Sequence, residues 1–252
     1  MISSPPAKQR LVAPPTIAVA DCTVVVPTYN EAENIGELIP HILANPRFRV
    51  LVVDDNSPDG TGTLVAEFAA HEPRVGLLSR AGKLGLGSAY LAGFRRALDE
   101  GAEFIFEMDA DFSHDPRYLP DLLAAAEAGA DLVLGSRYVK GGGTTDWGLG
   151  RKLISRGGNL YAGLILGLPI ADATGGFRCY RRRVLANLDL GKVRSNGYAF
   201  QIEMAYRTRK AGFTITEVPI IFPDRRVGQS KMSRRIVIEA LINVWKLRFG
   251  LI

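Results

Sequence analysis

Cysteine and histidine are scarce in this chain, and it has no long apolar run. Two cysteines, Cys22 and Cys179, make neither a disulfide framework nor a thiolate metal cluster, so a reducing compartment is the expectation. Three histidines leave too little material for a His-based zinc site. The longest apolar run, LYAGLILGLPI, has 11 residues and a proline near its end; about 20 are needed to cross a bilayer. No spanning helix is expected, and the N-terminus has no apolar stretch of signal-peptide type. Residues 1–20 read as a proline-broken leader.

What is present points to one folded unit. A length of 252 residues with 47% apolar content suits a single sizeable core. The net charge of +5 is unevenly placed. From Arg225 onward there are seven basic residues and one acid, so the remainder of the chain is close to neutral. A basic tail on a neutral body suits a phosphate-rich partner, whether nucleotide, nucleic acid or anionic membrane.

Short runs rich in valine and isoleucine alternate with helical patterns. Strands are expected at TVVVP, RVLVVDD, RVGLLS, EFIFEMD, ADLVLGS and TITEVPI, with helices near 31–44, 61–71, 86–100, 118–128 and 198–211. This is the pattern of βαβ units in an α/β fold with a mostly parallel sheet. Such sheets bind ligands at the carboxyl ends of their strands, and the acidic pairs Asp54/Asp55 and Asp109/Asp111 fall at such ends.

Asp109 and Asp111 are two residues apart, so in extended chain both carboxylates face one side. They repel unless a cation or proton lies between them. A hard ion such as Mg²⁺ accepts carboxylate oxygens and leaves room for substrate phosphates. The bland alternative is a solvated turn in which Asp115-Pro116 opens the next helix. Ser113 is a further candidate oxygen, and His114 reads as a helix-entry residue. Asp54 and Asp55 either cap the helix that follows or accept from a base or ribose. Lys83, before the helix of GLGSAY, approaches a phosphate if the helix N-terminus holds one. Arg137 in GSRY and Arg178 in GGFRCY lie among small residues, where a guanidinium can clamp phosphate; Arg181 to Arg183 read as a solvated helix start. Arg225, Ser230 and Lys231 surround Gly228 in a loop able to fold over a diphosphate. PTYNE after the first strand is either a plain turn or a pocket for something flat and hydrogen-bonding.

In this order, PTYNEAENI, VVDDNSPDGTG, KLGLGSAY, MDADFSHDP, GSRY, DATGGFRCY, NGYAFQIEM and DRRVGQSKM resemble family 2 glycosyltransferases of GT-A fold. More narrowly they resemble the polyprenyl-phosphate (dolichyl-phosphate) mannose synthases. The likeness runs from about Val24 to Met232. It implies a catalytic domain over 21–232 and a basic amphipathic helix over 233–252. It also implies that Pro27, Tyr29, Glu31, Asp54 and Asp55 hold the nucleoside and that Asp109 and Asp111 carry Mg²⁺ or Mn²⁺. Arg225, Ser230 and Lys231 would close over the diphosphate, and Arg137 and Arg178 would hold the acceptor phosphate. Asp111, Arg225 and Lys231 are then the catalytic group. Where the family carries Gln at the third metal position, this chain has the shorter Ser113.

The implied reaction moves mannose from GDP-mannose to a polyprenyl phosphate with inversion. UDP-glucose remains an alternative donor. A phosphate monoester has its second pKa near ~6, so the acceptor is already anionic and needs no strong base. The enzyme would sit at the cytoplasmic face of a membrane, held by surface helices or by a separate membrane protein. The segments SRRIVIEALINVWKLRFGLI and LISRGGNLYAGLILGLPI are the candidate surface helices, with packing on the sheet as the alternative. A nucleic-acid partner is not expected, because a polyanion would be repelled by the acidic strand ends.

Overall fold

The computed structural model describes residues 21–223 and 234–251, with backbone alone for 234–240. A seven-stranded sheet forms the centre, in the order β3-β2-β1-β4-β7-β5-β8. Its strands are β1 (Cys22–Thr28), β2 (Phe48–Asp54), β3 (Val75–Ser79), β4 (Phe104–Glu107), β5 (Leu132–Ser136), β7 (Arg178–Arg181) and β8 (Ile215–Pro219). The strands neighbour one another in parallel except β7, which runs antiparallel between β4 and β5. A small parallel ribbon pairs β6 (Gly143–Thr144) with β9 (Ile221–Phe222).

The continuous apolar strands are explained by burial on both faces. Val24, Val26, Val50 and Val52 pack with α1 (Ala32–Leu43), α2 (Thr61–His71) and α4 (Leu119–Glu127). On the other face, Val25, Leu51 and Val53 meet α3 (Leu86–Asp99), α6 (Arg182–Asn187) and α7 (Gly197–Lys210). A Cβ at Gly93 of α3 would overlap Val25 Cγ1, so only glycine lets this helix lie so close to β1.

Two elements depart from the sequence-based expectation. β7 was not expected, because four residues with an arginine at each end carry no strand signature; its pairing on both sides makes it a strand. α5 spans Leu149–Leu166, starting earlier than the expected surface segment. It ends at Gly167, whose φ of 65° is the left-handed conformation that closes helices. α5 and α7 pack with α8 (Arg234–Arg248) through Ala162, Leu166, Ile202, Val244 and Leu247. None of the described helices is long and apolar enough to cross a membrane.

Candidate active site

The chain leaves β1 toward one side of the sheet and re-enters at β4 on the other, so the switch point lies between β1 and β4. A cavity of about 370 Å³ opens there. Pro27, Tyr29, Glu31, Asp55, Lys83, Asp109, Asp111 and Arg137 all line it. The structure therefore brings together eight residues expected from widely separated motifs.

The loop after β2 is the scaffold of the loop after β1. Ser57 Oγ accepts from the Asn30 amide at 3.1 Å, Thr61 Oγ1 from the Glu31 amide at 3.0 Å, and Asp59 Oδ2 from the Ala32 amide at 3.0 Å. These bonds satisfy otherwise orphaned amides where α1 begins and fix the course of PTYNE. Asn30 and Asn56 take the positive φ that asparagine tolerates in such turns.

Asp54 and Asp55 separate at this point, since neighbours at a strand end face opposite ways. Asp54 does not line the cavity: it accepts from Thr28 Oγ1 at 2.8 Å and from the Ser57 amide and hydroxyl at 3.0 and 2.6 Å. Its expected direct nucleoside contact is thus replaced by a place in the loop scaffold. Asp55 does line the cavity, held by Arg80 Nε at 2.5 Å and the Leu84 amide at 3.3 Å. Arg80 escaped the sequence reading; it sits one residue beyond a strand whose edge gives no cue to a partner. Lys83 Nζ lies 4.1 Å from the centre of the Tyr29 ring, a cation–π contact at the cavity wall.

Beyond β4, Met108 and Ala110 are buried in the core, and Asp109 and Asp111 line the cavity, which Ala110 also borders. Tyr90 of α3 donates to Asp109 Oδ1 at 2.8 Å. Burial and the adjacent carboxylates push the Tyr90 hydroxyl well above its usual pKa, so it stays a donor. The Asp109 amide donates to His114 Nδ1 at 2.9 Å, which puts the proton of a neutral ring on Nε2. His114 is buried, stacked on Phe177 at 5.1 Å, and lines the cavity. It therefore does more than open the next helix. Ser113 gives its hydroxyl to Asp111 Oδ1 at 2.5 Å and its amide to the same oxygen at 3.1 Å. Among the described residues no cluster of three or more His, Cys, Asp or Glu could hold a metal. Two carboxylates on one cavity wall still fit a hard divalent ion whose other ligands come from phosphate and water.

Arg137 lines the cavity too, and it is held by an ion pair. Asp172 accepts from its amide, Nε and Nη2 at 3.0, 2.7 and 2.6 Å, and Thr174 Oγ1 accepts from Nη2 at 2.9 Å. Burial alone would lower the pKa of this guanidinium, but Asp172 overcomes it and raises it. Arg151 of α5 stacks 3.8 Å above the Trp147 ring, and both line the same cavity. Neither was singled out from sequence, because one basic residue early in a basic helix looks like a solvated face.

Arg178 does not reach the cavity, and this corrects its expected grip on the acceptor. It is fully buried and donates to the carbonyls of Gly175, Gln201 and Ala173 at 2.8, 2.9 and 2.9 Å. It stands opposite Glu107 in the β4–β7 ladder. Glu107 accepts from Tyr180 Oη at 2.9 Å and Gln201 Nε2 at 2.7 Å, and burial pushes its carboxyl up to about 7 against the pull of Arg178. Arg178 is thus a brace for DATGG. Arg181 and Arg182 are likewise tied to backbone carbonyls, of Ala126 and Leu98, instead of starting a solvated helix together. Arg225, Ser230 and Lys231 lie outside the described residues.

A doubly wound sheet with its cavity at the switch point and paired acids beyond β4 is the plan of GT-A glycosyltransferases. The glucosyl-3-phosphoglycerate synthase of Mycobacterium tuberculosis, solved with Mn²⁺, UDP and glucosyl-3-phosphoglycerate, shares the fold. Its TM-score is 0.65 at 20% identity, over 91% of this chain and 80% of that one. Residues 23–189 match the family described as Glycosyl transferase family 2. A polyprenol monophosphomannose synthase of Mycolicibacterium smegmatis is 48% identical over 229 residues, 89% of this chain and 86% of the relative. An undecaprenyl-phosphate mannosyltransferase of Micrococcus luteus is 49% identical over 228 residues, 90% of this chain and 93% of the relative. The chain belongs to glycosyl transferase family 2.

Proposed function

We propose that this enzyme transfers mannose from GDP-mannose to a polyprenyl phosphate, inverting the anomeric carbon. The observation that carries the reading is near-half identity, across nine-tenths of the chain, to two proteins named for mannosyl transfer to polyprenyl phosphates. The cavity supports it, because its lining combines Tyr29, Glu31 and Asp55 with the pair Asp109/Asp111 and the cations Lys83, Arg137 and Arg151.

In this reading Pro27, Tyr29, Glu31 and Asp55 receive the nucleoside, with Asp54 and Arg80 setting their positions. Lys83 faces the diphosphate. Asp109 and Asp111 hold Mg²⁺ or Mn²⁺, which neutralises charge on the leaving diphosphate when bound. Arg225, Ser230 and Lys231 add further donors to the same leaving group. Arg137, with Arg151 beside it, takes the acceptor phosphate. Arg178 acts behind them by holding the DATGG backbone in place. A phosphate oxygen is already anionic at neutral pH, so catalysis rests on in-line placement and charge stabilisation.

The acceptor's lipid tail requires a membrane surface. Leu149, Leu153, Leu160 and Leu164 repeat along one face of α5 and are 65–81% exposed. Ile242 and Trp245 of α8 and Phe249 just beyond it are also exposed, while Val244 and Leu247 of the helix pack inward. Lys152, Arg156, Lys246 and Arg248 flank these apolar residues, as in helices that lie in an anionic interface. Because α5 also carries Arg151, its apolar face begins beside the cavity. This favours peripheral attachment to a membrane surface, by these helices or with a membrane protein partner; the cytoplasmic face is part of the proposal.

The test is sugar transfer from radiolabelled GDP-mannose or UDP-glucose into organic-extractable lipid, using the purified chain and polyprenyl-phosphate vesicles. GDP-mannose is expected to label the lipid and UDP-glucose not to. Labelling from UDP-glucose alone would overturn the donor, and labelling from neither would overturn the reaction.

A further inference from the structure

We infer that Asn159 of α5 is a positioning residue for the lipid acceptor: it locks the helix that would lie on the membrane to the loop that holds the Arg137 guanidinium. The inference rests on the proposed function, in which Arg137 takes the acceptor phosphate and α5 meets the lipid. A guanidinium has N–H donors on Nε, Nη1 and Nη2. Here Nε is committed to Asp172 Oδ2 at 2.7 Å, and Nη2 to Asp172 Oδ1 at 2.6 Å and Thr174 Oγ1 at 2.9 Å. Among the described residues Nη1 has no protein partner, so it is the nitrogen that Arg137 has left to offer in the cavity it lines. The ring centres of Tyr138, Trp147 and Phe222 stand 5.3, 5.4 and 5.3 Å from the guanidinium carbon and give it no directed bond. Its direction is set by the loop of Asp172 and Thr174.

Asn159 ties that loop to α5. It is 3% exposed. Its Oδ1 accepts from the Thr174 amide at 3.1 Å, while Nδ2 donates to Thr174 Oγ1 at 3.1 Å and to the Ser155 carbonyl at 2.9 Å. A backbone amide can only donate, so this pairing admits one orientation of the Asn159 side chain. The Thr174 hydroxyl is fully used: it receives from Arg137 and Asn159 and directs its own proton toward Asp172 Oδ1 at 3.4 Å. Asparagine is a poor helix former, and a position that only packed would suit an apolar residue, as Ala162 and Leu166 do on the same helix. The loop has other holds. Arg178 grips the carbonyls of Gly175 and Ala173, and Glu217 accepts from the amides of Ala171 and Asp172 at 2.8 and 2.9 Å. Cutting the Asn159 clasp therefore loosens α5 from the loop and leaves the cation in place. An acceptor held in a bilayer presents its phosphate at a set depth, so the exposed leucines of α5 and Nη1 of Arg137 must keep a fixed offset. A short phosphate in solution needs no such offset.

The experiment compares wild type, Asn159→Leu, Asn159→Ser and Arg137→Met/Asp172→Leu, with urea unfolding of each. Mannosyl transfer from GDP-mannose is measured to polyprenyl phosphate in anionic vesicles and to geranyl phosphate free in solution, the latter also as a competitor of the vesicle reaction. Both Asn159 variants are expected to lower kcat/KM for the vesicle-held acceptor by roughly 10–100-fold, the scale of a misplacement on the order of 1 Å. Their handling of geranyl phosphate, GDP binding and vesicle co-sedimentation should match the wild type. If one of them fails to fold, the other reports the same cut; if neither folds, the clasp is structural and the inference is overturned. Equal losses on both acceptors, a loss on geranyl phosphate alone, or no loss overturn it and leave Arg137 in its role. So does a wild type that neither uses nor binds geranyl phosphate, because the cation site would then be incomplete without lipid. If the double variant keeps both acceptors, or the wild type labels no lipid, the proposed reading itself is wrong and the inference falls with it.

Discussion

The buried pair of Arg137 and Asp172 allows structural and functional contributions to be measured apart. Their side chains are 5% and 0% exposed. Asp172 accepts from the Arg137 amide, Nε and Nη2, and also from the Gly175 amide at 3.1 Å. Asp172→Ala leaves the guanidinium buried without its counter-ion, at a cost of about 3–5 kcal/mol. Against a typical total of roughly 5–15 kcal/mol, that loss brings the fold near its limit. Arg137→Met strands the carboxylate instead and costs a similar amount. The double variant Arg137→Met/Asp172→Leu replaces both charges with apolar groups, and such replacements are often close to neutral. Urea unfolding of the four proteins should therefore give strongly non-additive losses, with the double variant more stable than either single one. Transfer assays on the double variant should show at least ~10² lower efficiency toward the lipid acceptor, the scale of one lost anion donor, with GDP binding retained. Additive losses would refute the structural argument. Normal acceptor kinetics in a folded double variant would refute the role of Arg137 at the acceptor.

Glu107→Gln should remove a pH dependence of stability. The folded carboxyl sits at about 7 against an ordinary 4.5, so its stabilising contribution is complete below 4.5 and is lost as pH rises through about 7. Urea unfolding between pH 4.5 and 7 should show the wild type losing up to roughly 3 kcal/mol relative to the variant; parallel curves would contradict this. Gly93→Ala should lower stability by about 1–3 kcal/mol through overpacking against Val25, seen as an earlier urea midpoint, and an unchanged midpoint would mean that α3 can shift at no cost. Leu153→Glu/Leu164→Glu changes only exposed positions; it should weaken co-sedimentation with anionic vesicles and leave GDP binding and unfolding unchanged. Undiminished co-sedimentation would remove α5 from the membrane surface.

The parallel strands and their helices were legible because each strand is an apolar run and each crossover has a helical period. The pair Asp109/Asp111 was legible for the same reason: an apolar strand ends and two acids follow at a spacing of two. Less could be read where long-range contacts decide. Asp54 and Asp55 had to face opposite ways, but only the placement of Ser57 and Arg80 determines which one meets the cavity. Arg178 is an arginine in a short segment crowded with arginines. Its burial follows from Glu107 and three carbonyls that the fold brings to it from distant segments. Tyr90 looks like an ordinary core aromatic at helical spacing, and nothing local marks its hydroxyl as a partner of Asp109.

The antiparallel strand β7 has a consequence for how this cavity can diverge. Residues 27–114 supply one share of its lining, which the proposed function assigns to the nucleotide, and residues 137–222 supply the share holding Arg137, Arg151 and Trp147. The two stretches of chain are stitched together in the sheet where β4 meets β7. Changes on one side that are distant from the other, and share no partners with it, act on stability nearly independently. On the proposed function such a molecule is divisible: one stretch can drift toward a new acceptor while the other keeps its donor. Exchanging 137–222 between relatives should transplant acceptor preference without altering the nucleotide that is bound.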